Sequence, residues 1–139
     1  MTIFDPYRGR LVVETPEEIV RQSCLKLMVE ELGYPSSLIA VEKSLKELLK
    51  TSKPPLRRAD ILVFSLSGEP LLLIECKAVP LTLAMQRQVR GYNYYIKAPF
   101  IALINDKEAL FSTKGGAFEI GIRPYEWCLF HASIPPSKL

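Results

Sequence analysis

The sequence predicts an α/β protein, of the α+β kind in which helices pack on one central mixed sheet. Three observations lead there. The chain has 139 residues, 48% hydrophobic and 24% charged, which is the size and composition of one domain with a real core (residues 1–139). One segment near the N-terminus has helical periodicity behind a capping signal. After it, three apolar runs bounded by turn residues, a second helix-like segment and a fourth run give the order helix, strand, strand, strand, helix, strand.

Residues 1–14 read as an N-terminal arm with Pro6 and a short apolar patch, Leu11 to Val13. Thr15-Pro16-Glu17-Glu18 then supplies a capping hydroxyl, a proline at the first helical position and a glutamate three residues after the cap, which is a capping box. Val20, Cys24, Leu27, Met28 and Leu32 recur at helical spacing up to Gly33, so a helix of about 17 residues with one buried stripe is expected. Leu38 to Leu48 alternates loosely and reads as a strand or a strand with a polar extension. Ala59 to Leu66 and Leu71 to Ala78 flank Ser67-Gly68-Glu69-Pro70 and form a hairpin, with four consecutive apolar residues in each arm, as in strands covered on both faces. Thr82 to Lys97 is the second helix and Pro99 to Asn105 the next strand. Residues Glu108 to Thr113 and Ala117 to Ile122 flank Lys114-Gly115-Gly116 as an edge hairpin, and Pro124, Pro135 and Pro136 predict an irregular tail over 124–139.

Composition removes several kinds of chemistry. The one histidine, His131, excludes multi-histidine metal sites, and three widely spaced cysteines without a C-x-x-C support neither a disulfide framework nor a structural zinc site. There is no phosphate-binding G-x-x-x-x-G-K-[ST] loop, and no apolar run approaches the ~20 residues of a membrane span, so a cytoplasmic protein without membrane contact is expected. The net charge of +3 is unevenly spread. Residues 41–58 alone hold six basic and two acidic side chains, with Lys50, Lys53, Arg57 and Arg58 in a stretch punctuated by Pro54 and Pro55. That stretch reads as a loop, either a solvated one or one that contacts nucleic-acid phosphates.

Two charges interrupt the apolar run that ends Ile74-Glu75-Cys76-Lys77. Alternation along a strand sends Glu75 and Lys77 to one side and Cys76 to the other. An isolated Glu-Lys pair at a frayed strand end would be unremarkable, but Asp60 stands at the same end of the hairpin, in the partner arm. It lies seven residues before Ser67, and Glu75 five after Pro70, so the two carboxylates converge at one edge of the sheet. Paired carboxylates make a hard, all-oxygen site of the kind Mg²⁺ or Mn²⁺ prefers, and a neighbouring lysine offsets charge in phosphoryl transfer.

From about Tyr7 to Asn105 the chain resembles the PD-(D/E)XK nuclease superfamily. It is most similar to the family named for the N-terminal nuclease domain of type I restriction enzyme R subunits. The matching words are Thr15-Pro16-Glu17-Glu18-Ile19-Val20-Arg21-Gln22, Leu32-Gly33-Tyr34-Pro35, Arg58-Ala59-Asp60-Ile61 and Ile74-Glu75-Cys76-Lys77-Ala78. The resemblance implies a restriction-endonuclease-like core of order αβββαβ. It implies Asp60 and Glu75 as metal ligands, the carbonyl of Cys76 as a third, Lys77 as the catalytic lysine and a glutamate of the first helix, Glu18 or Glu17, completing the site. Ala59 stands where the superfamily's name has proline. In the second helix, Gln88 and Tyr92 form the Q-x-x-x-Y pattern of some of these nucleases, while Arg87 and Arg90 either meet phosphates or are solvated.

These readings make the expected function Mg²⁺-dependent hydrolysis of phosphodiester bonds in DNA, linked to restriction or DNA processing. The alternative is a nucleic-acid-binding or assembly module that keeps the fold without cutting. In type I enzymes this domain is joined to a motor and works with specificity subunits, so DNA and such proteins are the expected partners. DNA against RNA and monomer against homodimer stay open.

Overall fold

A computed structural model of the protein describes residues 1–44, 58–113 and 115–133. The N-terminal arm is a small antiparallel hairpin, β1 (Thr2–Asp5) and β2 (Arg10–Val13). Helix α1 (Pro16–Glu30) follows, then a 3-10 turn (Ser36–Leu38) and strands β3 (Ile39–Ser44), β4 (Arg58–Phe64) and β5 (Pro70–Cys76). Helix α2 (Leu83–Ile96) leads to β6 (Phe100–Ile104), β7 (Ala109–Thr113) and β8 (Glu119–Ile120), and helix α3 (Tyr125–Ser133) comes last. The predicted order helix, strand, strand, strand, helix, strand is present from α1 to β6.

Strands β3 to β8 lie side by side in chain order in one six-stranded sheet. Every neighbouring pair is antiparallel except β5 and β6, which run parallel because α2 carries the chain back over the sheet between them. Helices α1 and α3 cover one face, where Cys24, Leu25, Met28 and Cys128 pack on Ile61, Val63, Leu72, Ile74 and Ala102. Helix α2 covers the other, with Val89, Tyr92 and Ile96 on Leu62, Leu73 and Ile101. Alternate residues of β4 and β5 therefore serve opposite cores, which is why their apolar runs are continuous.

The helix ends follow local chemistry. Thr15 caps α1, its Oγ1 accepting from the Glu18 amide at 3.1 Å, with Pro16 in the first turn. Gly33, at φ +75°, lets the chain reverse so that the Tyr34 amide reaches the Met28 carbonyl. Thr82 caps α2 in the same manner, and the Asn93 side chain makes two 2.9 Å bonds to the backbone of Ala98, fixing where β6 begins.

Three expectations need correction. The stripe of α1 runs through Val20, Arg21, Cys24, Leu25 and Met28, leaving Leu27 partly exposed. The arm over 1–14 is a hairpin. The tail expected to be irregular over 124–139 is helical from Tyr125 to Ser133; residues 134–139 lie outside the described part. Pro124 precedes that helix rather than breaking it, its carbonyl accepting from the Cys128 amide. Tyr125 and Cys128 are buried, Trp127 packs on Phe100 and Phe111, and the Tyr34 hydroxyl donates to the Arg123 carbonyl at 2.6 Å.

Met28 is fully enclosed between α1 and the sheet. Met28→Ala is expected to lower the unfolding free energy by about 2–5 kcal/mol, read by denaturant titration, with secondary structure retained.

Candidate nuclease site

The ladder between β4 and β5 is regular from Val63↔Leu72 to Ile61↔Ile74 and is registered no further. The next residues, Asp60 and Glu75, stand at the ends of the two strands, and Asp60 reaches α1 through Arg21. Here the Cys76 amide donates to Asp60 Oδ2 at 2.8 Å rather than to a main-chain carbonyl. The Asp60 side chain thus wedges between the strand ends, while β5 stays tied to β6 through Cys76↔Ile104 and a 2.8 Å bond from the Lys77 amide to the Ile104 carbonyl. Asp60 and Glu75 are both buried, and the Glu75 carboxyl is among the groups that hold the Asp60 pKa down. Neighbouring buried carboxyl groups favour sharing a proton or a cation.

On the other side of Asp60 lies Glu42 of β3, between the registered pairs Val41↔Ile61 and Lys43↔Ala59. Its φ of +56° is left-handed, a conformation that costs a non-glycine residue free energy. That backbone carries the Glu42 carboxylate to Arg21 of α1. The Arg21 guanidinium, buried, donates to Glu18 Oε1 (2.7 Å), Glu42 Oε1 (2.6 Å) and Asp60 Oδ1 (2.9 Å). The network continues outward: Arg8 Nη2 donates to Glu18 Oε1 at 2.5 Å, and Arg8 Nε donates to Asp5.

Electrostatics follow from these contacts. Burial pushes the Asp60 pKa up, but the hydrogen bonds from Glu75, the Cys76 amide and Arg21 outweigh it and hold the group below its ordinary value. Glu42 moves the opposite way, raised by burial and by its nearness to Asp60 against the pull of Arg21. Burial would lower the Arg21 pKa; its carboxylates, Asp60 foremost, raise it, so it stays a cation.

Of the two glutamates left open, Glu18 is the buried one that joins the network, and Glu17 is exposed. The reciprocal half of the capping box is not made, because Arg8, Arg21 and Gln22 occupy the Glu18 carboxylate. Lys77 is half-buried just past the end of β5, on the Glu75 side by strand alternation. Cys76 turns its thiol into the α1 core, where contact with Cys24 and burial raise its pKa. On α2, Tyr92 is buried while Gln88 and Arg87 are exposed, so the Q-x-x-x-Y pair straddles the edge of the packed face. Arg90 is engaged within the fold, donating to Ser112 Oγ at 3.1 Å and to the Gly116 carbonyl, with its guanidinium over the Phe118 ring. Arg58 is exposed and donates to the Glu42 carbonyl. Lys50, Lys53 and Arg57 lie outside the described residues.

Sequence reading missed Asp5, Arg8, Arg21 and Glu42. Each is a surface-type residue by spacing alone, and only the tertiary fold brings them together. The single local signal was Arg21, a cation in the apolar stripe of α1.

The donor set is carboxylate oxygen throughout, which suits a hard divalent cation such as Mg²⁺ or Mn²⁺. Among the described residues no three acidic, cysteine or histidine side chains converge on one ion as they stand. The reason is visible: Arg21 draws Glu18, Glu42 and Asp60 onto itself.

With fold and geometry described, comparison with known proteins gives the class. The family described as the type I restriction enzyme R protein N terminus matches residues 16–119. The chain belongs to that family, and Glu18, Arg21, Glu42, Asp60, Glu75 and Lys77 all lie within the matched span, which points to a restriction-related nuclease. The hairpin β1–β2 lies outside it. No curated protein matches the chain. Among the described residues no helix is long and apolar enough to cross a membrane.

Two outcomes are expected. Arg21→Met should destabilise the metal-free protein by about 3–5 kcal/mol, since it strands buried carboxylates without a counter-charge; equilibrium unfolding in chelator measures it. Asp5, whose pKa falls below its ordinary 3.8 because bonds from Arg8 and the Tyr7 amide outweigh burial, should show its contribution through pH. A lowered carboxylate pKa stabilises the fold above the unfolded value and ceases to do so as pH drops through the folded one. The stability gap between wild type and Asp5→Asn should therefore be constant above about pH 5 and close below 3.8.

Proposed function

We propose that the protein is a metal-dependent nuclease of the PD-(D/E)XK kind acting on DNA, with Mg²⁺ or Mn²⁺ as cofactor. The observation that carries this reading is the burial of Asp60 and Glu75 at the ends of β4 and β5, with the Cys76 amide donating to Asp60 and Lys77 following two residues after Glu75. Asp60 and Glu75, with the Cys76 carbonyl, would hold the ion, which when bound supplies Lewis-acid stabilisation of charge on the phosphoryl oxygens. Lys77 orients the attacking water and offsets negative charge as the phosphodiester bond breaks. Glu18 acts through Arg21, keeping that guanidinium against Asp60. Family membership supports partners that supply a motor or sequence specificity, and is consistent with work on DNA in the cytoplasm.

One observation favours a second reading. The Arg21 guanidinium already bonds to three carboxylates and occupies the place a cation would take, so the same site is consistent with a DNA-binding or assembly module that keeps the fold and does not cut.

The two readings separate on Lys77 and on the ion. For the enzyme, Lys77→Met lowers Mn²⁺-dependent cleavage of plasmid DNA by about a hundredfold or more while preserving fold and DNA affinity. Wild type gains thermal stability from Mn²⁺, by ~2.7 kcal/mol at a hundredfold excess over Kd, and Asp60→Ala gains little. Cleavage by Lys77→Met at the wild-type rate, or equal Mn²⁺ stabilisation of Asp60→Ala, would sink the nuclease reading.

A further inference from the structure

We infer that the N-terminal hairpin, which lies outside the family-matched span, builds a phosphodiester-binding cleft that leads a nucleic-acid strand to the Glu18–Arg21–Glu42 edge of the carboxylate network. A cleft of about 330 Å³ is lined by Tyr7, Arg8 and Arg10 from the hairpin and by Glu42, Lys43 and Arg58 from the edge of the sheet. A second, of about 450 Å³, continues from Arg8 and Arg10 along the start of α1 to Glu18, Arg21 and Glu42. Arg8, Arg10 and Glu42 line both, so the basic groove runs directly into the acidic one.

The cations of this groove differ in their state. Arg8 is tied down by Asp5 and Glu18. Arg10, Lys43 and Arg58 are exposed, and among the described residues Arg10 and Lys43 make no ion pair. Exposed cations that make no ion pair among the described residues, lining a concave surface that reaches the buried Glu18, suit a polyanion whose charges repeat along a strand. A phosphodiester backbone meets that description, each contact releasing condensed counterions.

The hairpin is built to hold this position. The Asp5 carboxylate accepts from the Tyr7 amide at 2.8 Å and from Arg8, the Gly9 amide donates to the Asp5 carbonyl at 2.8 Å, and Gly9 takes the left-handed φ of +65° that closes the turn. Arg8 then pins the turn to Glu18 at the start of α1. Arg10, registered opposite Asp5, leaves this fixed turn facing the groove that it lines.

The purpose given to the cleft rests on the nuclease reading, but its binding is measurable without cutting. The test is a titration of duplex DNA into wild type and into Arg10→Gln/Lys43→Gln, in chelator, over a range of salt concentrations. Both side chains are exposed, and matching circular dichroism and thermal melting of the two proteins establish that the fold is kept. Two lost phosphate contacts should flatten the log-log salt slope by about 1.8 on duplex DNA and about 1.4 on single strands. A slope and an affinity equal to wild type would overturn the cleft, whatever the protein's activity. Separately, a wild type that binds with the full slope but never cuts with Mn²⁺ would remove the nuclease reading and leave the cleft standing.

Discussion

A buried guanidinium governs this structure. Arg21 bonds to Glu18, Glu42 and Asp60 together, and each of those carboxylates belongs to a different element: α1, β3 and β4. Removing several ions from water is costly, typically several kcal/mol for each, and is sustained only if every charge finds a partner with good geometry. Arg21 satisfies that demand and in doing so fixes how α1 sits over the strand ends. Arg8 extends the arrangement to the hairpin, so that the position of residues 1–14 depends on the same charge balance as the site itself.

The strained backbone at Glu42 has its explanation here. A left-handed φ at a glutamate inside a strand is unfavourable, and the sheet tolerates it because the resulting direction of the carboxylate meets Arg21 at 2.6 Å. The parting of β4 and β5 has a similar cause. The Cys76 amide is satisfied by a side chain, Asp60, so the ladder ends without stranding a buried donor, and the carboxylates gain a mouth between the strands.

Much of the fold was legible because its signals are local. The Thr15 and Thr82 caps, the turn at Gly68 and the unbroken apolar runs of β4 and β5 each reflect chemistry within a few residues. That Asp60 and Glu75 lie in neighbouring arms of one hairpin was legible too, but the register shift between Val63 and Phe64 could not be counted from the turn. Contacts that join distant segments were not legible. Glu42 lies 18 residues before Asp60 and carries no pattern to mark it, and Arg21 looks like any polar helix residue until its stripe is seen to be buried. Helix α3 was missed for another reason. Tyr-Glu-Trp-Cys-Leu-Phe-His-Ala-Ser is apolar nearly all round and so has no stripe, and the proline before it reads equally as a breaker or a starter.

The turn from Ser65 to Glu69 sits at the far end of β4 from Asp60, about 17 Å away along the strand at the usual rise per residue. Its hydrogen bonds are internal, Ser65 with Ser67, Gly68 and Glu69. Chemistry and attachment are thereby segregated to opposite poles of one hairpin. A dye, a surface linker or a fused protein grafted at Ser67 shares neither charge nor hydrogen bond with the carboxylates, which gives the molecule a handle by which it can be held while its other end stays undisturbed.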